Sequence, residues 1–154
     1  MRQVIIFINN NQSFALDISS IERIIEFQRP KRIPEASQYL LGVIKYNEKI
    51  LPIIDLNMRF FNINYIDNDE SKIIVVIWKD KKIGILVNEI VGIKSIADDE
   101  FEESNLQDSS IAKEYVLGFI KTTDDITMML DINSIFNFDE EIELLTMQGE
   151  TGEL

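Results

Sequence analysis

The 154-residue sequence contains neither cysteine nor histidine. These two absences remove disulfide bonds, thiolate nucleophiles, zinc sites of the cysteine type and the commonest general base. Ser-His-Asp and Cys-His catalytic arrangements are therefore excluded. The six glycines form neither a G-x-G-x-x-G pattern nor a phosphate-binding P-loop.

Long apolar runs and a positive net charge are also missing. No apolar stretch approaches the ~20 residues needed to span a bilayer, and the run Val4–Ile8 is too short for a signal-peptide core. The net charge of −12 at pH 7 disfavours nucleic acid and anionic lipid as partners. We therefore expect a cytoplasmic protein that binds no nucleic acid and does not insert into the membrane.

An internal repeat is the most informative feature that is present. Residues 39–60 and 115–136 align without a gap at an offset of 76 residues, and nine of the 22 aligned positions are identical. A weaker similarity relates Val4–Ile18 to Ile73–Val87. A repeat of this length indicates a duplicated domain rather than a solenoid. We expect two related β-subdomains, 1–66 and 67–154, between which strands could be exchanged.

Short β-branched and aromatic runs predict an all-β fold. Four of these runs are Val4–Ile8, Leu40–Ile44, Ile73–Trp78 and Val116–Ile120. Polar turn segments separate paired runs at Asn9–Asn11, Tyr46–Glu48, Lys79–Lys81 and Thr123–Asp125. About ten short strands with tight turns indicate a sandwich or barrels, and barrel closure would remove the sheet edges of such small halves.

Two segments carry helix signals. Ser19-x-x-Glu22 has the pattern of a capping box, and Ile21 and Ile24 fit helical spacing, although a strand fits the same segment. Asp139–Met147 begins with acidic residues and continues with apolar ones, which predicts a short C-terminal helix.

Carboxylates are the remaining groups with catalytic potential. The acidic runs 98–103 and 139–141 lack the spacing of an EF-hand calcium loop and are more typical of solvated faces. Asp55 and Asp131 occupy the same repeat position at the end of a strand. We interpret them as caps of the following helical turn rather than as a catalytic dyad, and Gly42 and Gly118 as sites of close backbone approach. We predict a protein that is not an enzyme and uses no metal or other cofactor.

The sequence resembles the CheW-like family of chemotaxis coupling proteins. Gly42–Leu56 has the family's most distinctive pattern, G-V-I-x-x-x-x-x-I-x-P-I-I-D-L, and Phe14–Ile18 and Ile83–Val87 are similar to matching strands of its two halves. The resemblance extends from Val4 to Phe136. It implies two packed five-stranded barrels of the Src-homology-three-like type, with short helical turns and a C-terminal helix.

The resemblance also implies an adaptor that couples methyl-accepting chemoreceptors to the histidine kinase CheA. In this family one barrel binds the regulatory domain of the kinase, and the groove between the barrels receives the cytoplasmic tip of the receptor. Carried over by position, the kinase contacts would be Ile21, Arg23 and Gly42. The receptor contacts would be Ile18, Ile24, Asn47, Glu48, Ile85 and Val87.

Two sites depart from the family pattern. Asn47-Glu48 stands where the family usually has Arg-Gly, and Arg23 stands where many members have glutamate. Asparagine cannot supply the charge or forked donors of arginine, and a reversed charge at an interface rim changes partner choice. The alternatives are a divergent CheW paralogue in a non-flagellar chemosensory pathway, a ligand-sensing β-barrel module, and an enzyme that uses only carboxylates and lysines.

Overall fold

The computed structural model describes residues 2–65, 68–103, 115–122, 124–136, 140–141 and 143–144. The strands are β1 Arg2–Asn9, β2 Gln12–Asp17, β3 Ile21–Glu26, β4 Leu40–Tyr46, β5 Lys49–Asp55, β6 Lys72–Trp78, β7 Lys81–Val87, β8 Glu89–Ile96, β9 Phe101–Glu103, β10 Val116–Lys121 and β11 Ile126–Leu130. A short helix, α1, spans Leu56–Phe61, and 3₁₀ turns span Ile18–Ser20, Asp98–Glu100 and Ile132–Ser134. No helix in the described ranges is long and apolar enough to cross a bilayer.

Three hairpins turn through two residues that both have positive φ. The pairs are Asn10–Asn11, Asn47–Glu48 and Lys79–Asp80, with φ between 48° and 68°. Two consecutive left-handed residues are the mark of a type I′ turn, whose twist matches that of the flanking strands. The turns predicted at these three places are confirmed. The fourth predicted turn, Thr123–Asp125, includes a residue outside the described ranges.

The described strands form two sheets. One has the order β8-β1-β2-β11-β10-β9, and the other has the order β3-β6-β7-β5-β4. Each sheet takes strands from both sides of the boundary placed between residues 66 and 67. The exchange is reciprocal, because β11 runs parallel to β2 just as β5 runs parallel to β7. The two halves are therefore related by a pseudo-twofold operation, while the subdomain boundary itself stays a prediction.

Each sheet curls until its outer strands pack on a shared core. In the sheet of β3–β7, Ile25 on β3 packs against the cluster that contains Ile44 on β4. In the other sheet, Ile96 on β8 and Ile120 on β10 belong to one cluster. We call the unit built on β1, β2 and β8–β11 barrel A, and the unit built on β3–β7 barrel B. This architecture confirms the predicted all-β fold.

A third and larger apolar cluster, the interbarrel core, lies between the two barrels. It contains Phe7 and Phe14 from barrel A and Ile74 and Trp78 from barrel B, all at most 2% exposed. Alternate residues of β6 face opposite cores, and Ile73 lies in the core of barrel B. Because both faces of β6 are buried from Ile73 to Val76, this part of the strand is a continuous apolar run rather than an alternating one.

Identical aromatic residues of the repeat pack across the two halves. The ring of Tyr39 lies 5.5 Å from that of Phe136, and the ring of Phe60 lies 4.7 Å from that of Tyr115 and stacks on it. Each pair joins a tyrosine of one half to a phenylalanine of the other. The reciprocal contact gives both repeat positions the same neighbour, which accounts for their identity.

The segment with the ambiguous helix signal forms the 3₁₀ turn Ile18–Ser20 and then enters β3. Asp17 caps the turn, since its Oδ1 accepts hydrogen bonds from the backbone N–H of Ser19 at 2.9 Å and from its hydroxyl at 2.7 Å. The capping box of Ser19 and Glu22 is therefore not formed, and the alternative for this segment, a short turn followed by a strand as the family resemblance implies, is confirmed. Glu22 lies on β3 and bonds to other strands of barrel B.

The C-terminal helix predicted over Asp139–Met147 lies mostly outside the described ranges and stays a prediction. Residues 140–141 and 143–144 have helical backbone. Glu143 accepts hydrogen bonds from the Ser37 hydroxyl at 2.8 Å and from the Tyr39 hydroxyl at 2.9 Å. Burial and the neighbouring Glu143 carboxylate raise the pKa of Tyr39. These bonds fix the end of the second half to the loop that precedes β4.

Candidate protein-binding surface

Asp55 and Asp131 cap the turns that follow β5 and β11, as predicted. Asp55 is 3% exposed, and its carboxylate accepts hydrogen bonds from the backbone N–H groups of Asn57 at 3.0 Å, Met58 at 3.4 Å and Tyr65 at 3.2 Å. Burial raises the pKa of Asp55, although the three backbone donors act in the opposite direction. The full use of this carboxylate by the backbone supports a structural role.

Asp131 has fewer hydrogen-bond partners than Asp55 and is more exposed to solvent. Asp131 accepts hydrogen bonds from the backbone N–H of Asn133 at 3.1 Å and from the Ser134 hydroxyl at 2.8 Å. Its side chain is only partly buried. In the described part of the chain, no group of three or more acidic side chains could hold a metal ion.

Asp55→Ala is expected to lower the free energy of unfolding by about 3 kcal/mol, because it leaves three backbone donors without an acceptor. Asp131→Ala is expected to cost about 1 kcal/mol, as for an ordinary exposed cap. Urea denaturation measures both losses. Asp55→Asn is the matched control, since it keeps an oxygen acceptor and should recover part of the stability. Equal losses in the two alanine variants would contradict this account.

Gly42 is buried beneath the chain that precedes β4. A Cβ atom on Gly42 would lie 2.4 Å from the carbonyl oxygen of Lys31 and 3.0 Å from Cβ of Pro30. The repeat-related Gly118 is covered in the same way, because its Cβ would lie 2.4 Å from the carbonyl oxygen of Glu102. The predicted close backbone approach is confirmed at both glycines. Gly42 therefore offers little surface of its own to a partner.

Ile18 and Ile24 lie where the two barrels meet. The 3₁₀ turn that carries Ile18 contacts β1 of barrel A and β6 of barrel B. Ile24 pairs with Ile74 across β3 and β6, and directly paired residues project from the same face of a sheet. Ile74 is fully buried in the interbarrel core, whereas Ile24 is 36% exposed. Ile24 therefore lies at the edge of the interbarrel core, where solvent can reach it.

Two of the receptor contacts carried over from the family are buried. Ile85 is 1% exposed and Val87 is fully buried, and both belong to the interbarrel core. In this conformation neither side chain can reach a partner. Both instead pack inside the core that Ile24 borders.

The second half has an equivalent exposed residue, Ile93, which is not among the predicted contacts. Ile93 on β8 pairs with Ile5, a member of the interbarrel core, and is itself 60% exposed. The similarity of Val4–Ile18 to Ile73–Val87 has an offset of 69 residues, and extending it by six residues aligns Ile24 with Ile93. That extension is the sequence signal that could have identified Ile93.

The two edge strands share a further irregularity. The register of β3 against β6 shifts between Ile21 and Arg23, and the register of β8 against β1 shifts between Ile90 and Gly92. Because the bulges fall at the same repeat position, β3 and β8 bend alike and present their isoleucines alike. We call the margin of the interbarrel core that is marked by the partly buried Ile18 and by the exposed Ile24 and Ile93 the interbarrel seam.

Asn47 and Glu48 form the exposed turn between β4 and β5. The carboxylate of Glu48 lies 3.6 Å from Nζ of Lys45, and the two side chains are 88% and 74% exposed. An ion pair this exposed contributes little to stability. The turn is therefore a free polar surface of barrel B.

A polar cluster ties this hairpin to β3. The Tyr46 hydroxyl donates a hydrogen bond of 2.7 Å to Glu22, and Nζ of Lys82 lies 2.9 Å from the other oxygen of the same carboxylate. The bonds from Lys82 and Tyr46 lower the pKa of Glu22. Arg23 is exposed beside Glu22 and interacts with it electrostatically. Arg23 and the hairpin turn thus belong to one connected region of barrel B.

The duplicated two-barrel fold, with an exposed apolar seam at the junction of its barrels, defines a protein-binding module. A family model described as the CheW-like domain matches residues 3–140. The chain therefore belongs to the CheW-like domain family, as the sequence resemblance predicted.

Individual relatives match across most of the chain. "Chemotaxis protein CheW" of Bacillus subtilis is 25% identical over 138 residues, which cover 88% of this chain and 86% of the relative. The protein of the same name from Thermotoga maritima is 28% identical over 133 residues, covering 86% of each. The crystal structure of the scaffolding protein TtCheW from Thermoanaerobacter tengcongensis aligns with a TM-score of 0.80 at 24% identity, over 90% of this chain and 89% of that one. The last comparison shows that the fold is shared.

Proposed function

We propose that the chain is a chemosensory adaptor that couples the cytoplasmic tip of a chemoreceptor to the regulatory domain of the histidine kinase CheA. Its membership of the CheW-like family is the observation that carries this proposal. The adaptor works by binding alone, without catalysis or a cofactor. It acts in the cytoplasm and reaches membrane-associated receptor arrays only through its partners.

The interbarrel seam is the proposed receptor surface. An amphipathic helix docks by placing apolar residues that are three or four positions apart into an apolar groove. For such a tip, Ile24 provides an exposed apolar side chain on barrel B and Ile93 provides one on barrel A. Ile18 lies between the barrels. Full burial of one isoleucine side chain contributes about 1.5–3 kcal/mol. Asn47 and Glu48 are proposed as polar contacts outside the seam.

The proposed kinase surface lies on barrel B around Ile21 and Arg23. Ile21 is partly buried against the interbarrel core and presents its remaining surface at the start of β3. Gly42 acts indirectly, because its missing side chain lets the Pro30–Lys31 segment lie against β4. An apolar centre with a charged rim is the usual composition of such an interface.

Binding measurements test the proposal. Calorimetric titration of the full chain with a receptor-tip fragment, and separately with the kinase regulatory domain from the same cell, should give saturable binding to each. A third titration, of the preformed receptor complex with the kinase domain, should show that both partners bind at once. No detectable binding to either partner at high micromolar concentration would overturn the proposal.

Arg23→Glu is expected to change kinase selectivity. The test partner is a kinase regulatory domain whose own adaptor has glutamate at this position. Its affinity for the variant should rise about fivefold at low salt, since a reversed rim charge becomes complementary, and the gain should shrink as salt increases. Arg32→Glu is the control for net charge, because Arg32 is also exposed and lies outside β3. An equal gain for both variants would show that position 23 has no special role.

A further inference from the structure

The carboxylate of Glu22 joins three strands of barrel B. One of its oxygens accepts the 2.7 Å hydrogen bond from the Tyr46 hydroxyl on β4, and the other lies 2.9 Å from Nζ of Lys82 on β7. Nζ of Lys82 also lies 5.9 Å from the centre of the Tyr46 ring, within the range of a cation–π contact. We call these three side chains the Glu22 clasp. Each member interacts with both of the others, so the clasp is more than a single ion pair.

The clasp connects two strands that share no backbone ladder. β3 and β4 are the outermost strands of their sheet, and β6, β7 and β5 lie between them. The hydrogen bond from Tyr46 to Glu22 therefore ties the two outer edges together where barrel B curls back on itself. Because an outer strand lacks backbone partners along one edge, side-chain bonds of this kind limit how far the two edges can separate.

Glu22 is also the extra residue of the β3 bulge. Ile21 pairs with Val76 and Arg23 pairs with Val75, so the ladder to β6 passes over Glu22. A bulge bends its strand and redirects the side chain of the inserted residue. Ile21 and Arg23 are the proposed kinase contacts, and they flank Glu22 directly. The bonds that hold the Glu22 carboxylate therefore restrain the backbone from which both contacts project.

Barrel A has the same bulge without a clasp. The repeat-related residues are neither charged nor aromatic: Val91 in place of Glu22, Thr122 in place of Tyr46 and Ser13 in place of Lys82. The Ser13 hydroxyl bonds instead to the Thr127 hydroxyl at 2.7 Å. Since the bulge forms in both barrels, the fold does not require the clasp. Its restriction to barrel B indicates a role at the surface of that barrel.

We propose that Glu22 is a positioning residue of the kinase surface, which holds the β3 bulge in the conformation that presents Ile21 and Arg23. The inference rests on the function proposed above, and it adds a residue that acts through its neighbours. Three strands meet at one carboxylate, so the surface is ordered before the partner arrives. Such preorganisation raises affinity, because less conformational entropy is lost on binding.

Tyr46→Phe tests the inference, because it removes the bonded hydroxyl and leaves the ring, Glu22 and Arg23 in place. Its affinity for the kinase regulatory domain from the same cell, measured by titration calorimetry, should be about fivefold lower than that of the unmodified chain. Tyr65→Phe is the matched control, since Tyr65 packs against Phe27 in barrel B and lies outside the clasp. Equal affinities for the two variants would contradict the inference.

A double-mutant cycle separates positioning from direct contact of Tyr46 with the kinase. Glu22→Ala removes the whole clasp and should weaken binding about tenfold. In that background Tyr46→Phe should cause no further loss, because the hydroxyl has no carboxylate left to hold. Additive losses would mean that the two side chains contact the kinase independently, which is incompatible with a positioning role for Glu22.

The free chain provides a readout that needs no partner. In ¹⁵N relaxation measurements, the backbone order parameters of Glu22 and Arg23 should be about 0.85, as for a rigid backbone, and should fall in Tyr46→Phe. Tyr46 lies on β4, so a loss of order on β3 is a change transmitted through the clasp. Unchanged order on β3 would overturn this inference and leave the adaptor function intact. Absence of kinase binding by the unmodified chain would overturn the proposed function and this inference with it.

Discussion

Gly42→Ala is expected to lower the free energy of unfolding by about 3 kcal/mol, because the added methyl group would clash with backbone atoms that are held in place by hydrogen bonds. The Cβ atom would lie 2.4 Å from the carbonyl oxygen of Lys31. Lys31 is held to Val43 of β4 by two reciprocal backbone hydrogen bonds, each 2.9 Å long. Moving the 30–31 segment away would break both bonds. The melting temperature should fall by about 10 °C for a chain of this length.

Gly92→Ala is the matched control for this substitution. Gly92 has a φ of +149° and Gly42 a φ of +154°, so an alanine encounters nearly the same backbone strain at both positions. Among the described residues, leaving aside its two chain neighbours, no atom lies within 4 Å of a Cβ on Gly92. The two variants should therefore differ by about 2 kcal/mol, which is the steric part of the loss. Equal losses would show that backbone conformation alone determines the effect.

Local features of the fold could be predicted from the sequence. The hairpin turns at Asn10–Asn11 and Asn47–Glu48, and the caps at Asp55 and Asp131, depend on residues only a few positions away. Internal repetition strengthened these predictions, because a residue that recurs at the same position in both halves is expected to have the same structural role in each half. The crowding at Gly42 was foreseen for the same reason.

The pairing of strands could not be predicted in this way. Ile73–Val76 of β6 are all apolar because both faces of the strand are buried there, and periodicity cannot show which core each face meets. Ile18 and Val87 occupy the same repeat position, yet Val87 is fully buried and Ile18 is only partly buried. The difference arises because β2 enters β3 through a 3₁₀ turn, whereas β7 passes into β8 through a single residue. Carrying a contact over by position alone therefore selected the buried Ile85 and Val87 and did not select the exposed Ile93.

Ile24→Glu and Ile93→Glu are each expected to weaken binding of the receptor tip by about 30-fold or more, which is the range of interface hot spots. A carboxylate on the seam would be buried against the apolar face of the receptor without a partner. Both isoleucines are at least 36% exposed in the free protein, so the fold should be retained. Titration calorimetry with the receptor-tip fragment measures the loss, and urea denaturation confirms that each variant is folded.

Ile77→Glu separates this effect from that of added negative charge. Ile77 is 46% exposed, and it lies on β6 between Val76 and Trp78, whose side chains face the interbarrel core. The alternation of a strand directs Ile77 away from the seam, so the control variant should bind the receptor tip like the unmodified chain. If Ile24→Glu abolished binding and Ile93→Glu did not, the receptor surface would be confined to barrel B. Loss of binding in both variants requires a tip that contacts the two barrels at once, which is the arrangement that the shared bulges of β3 and β8 favour.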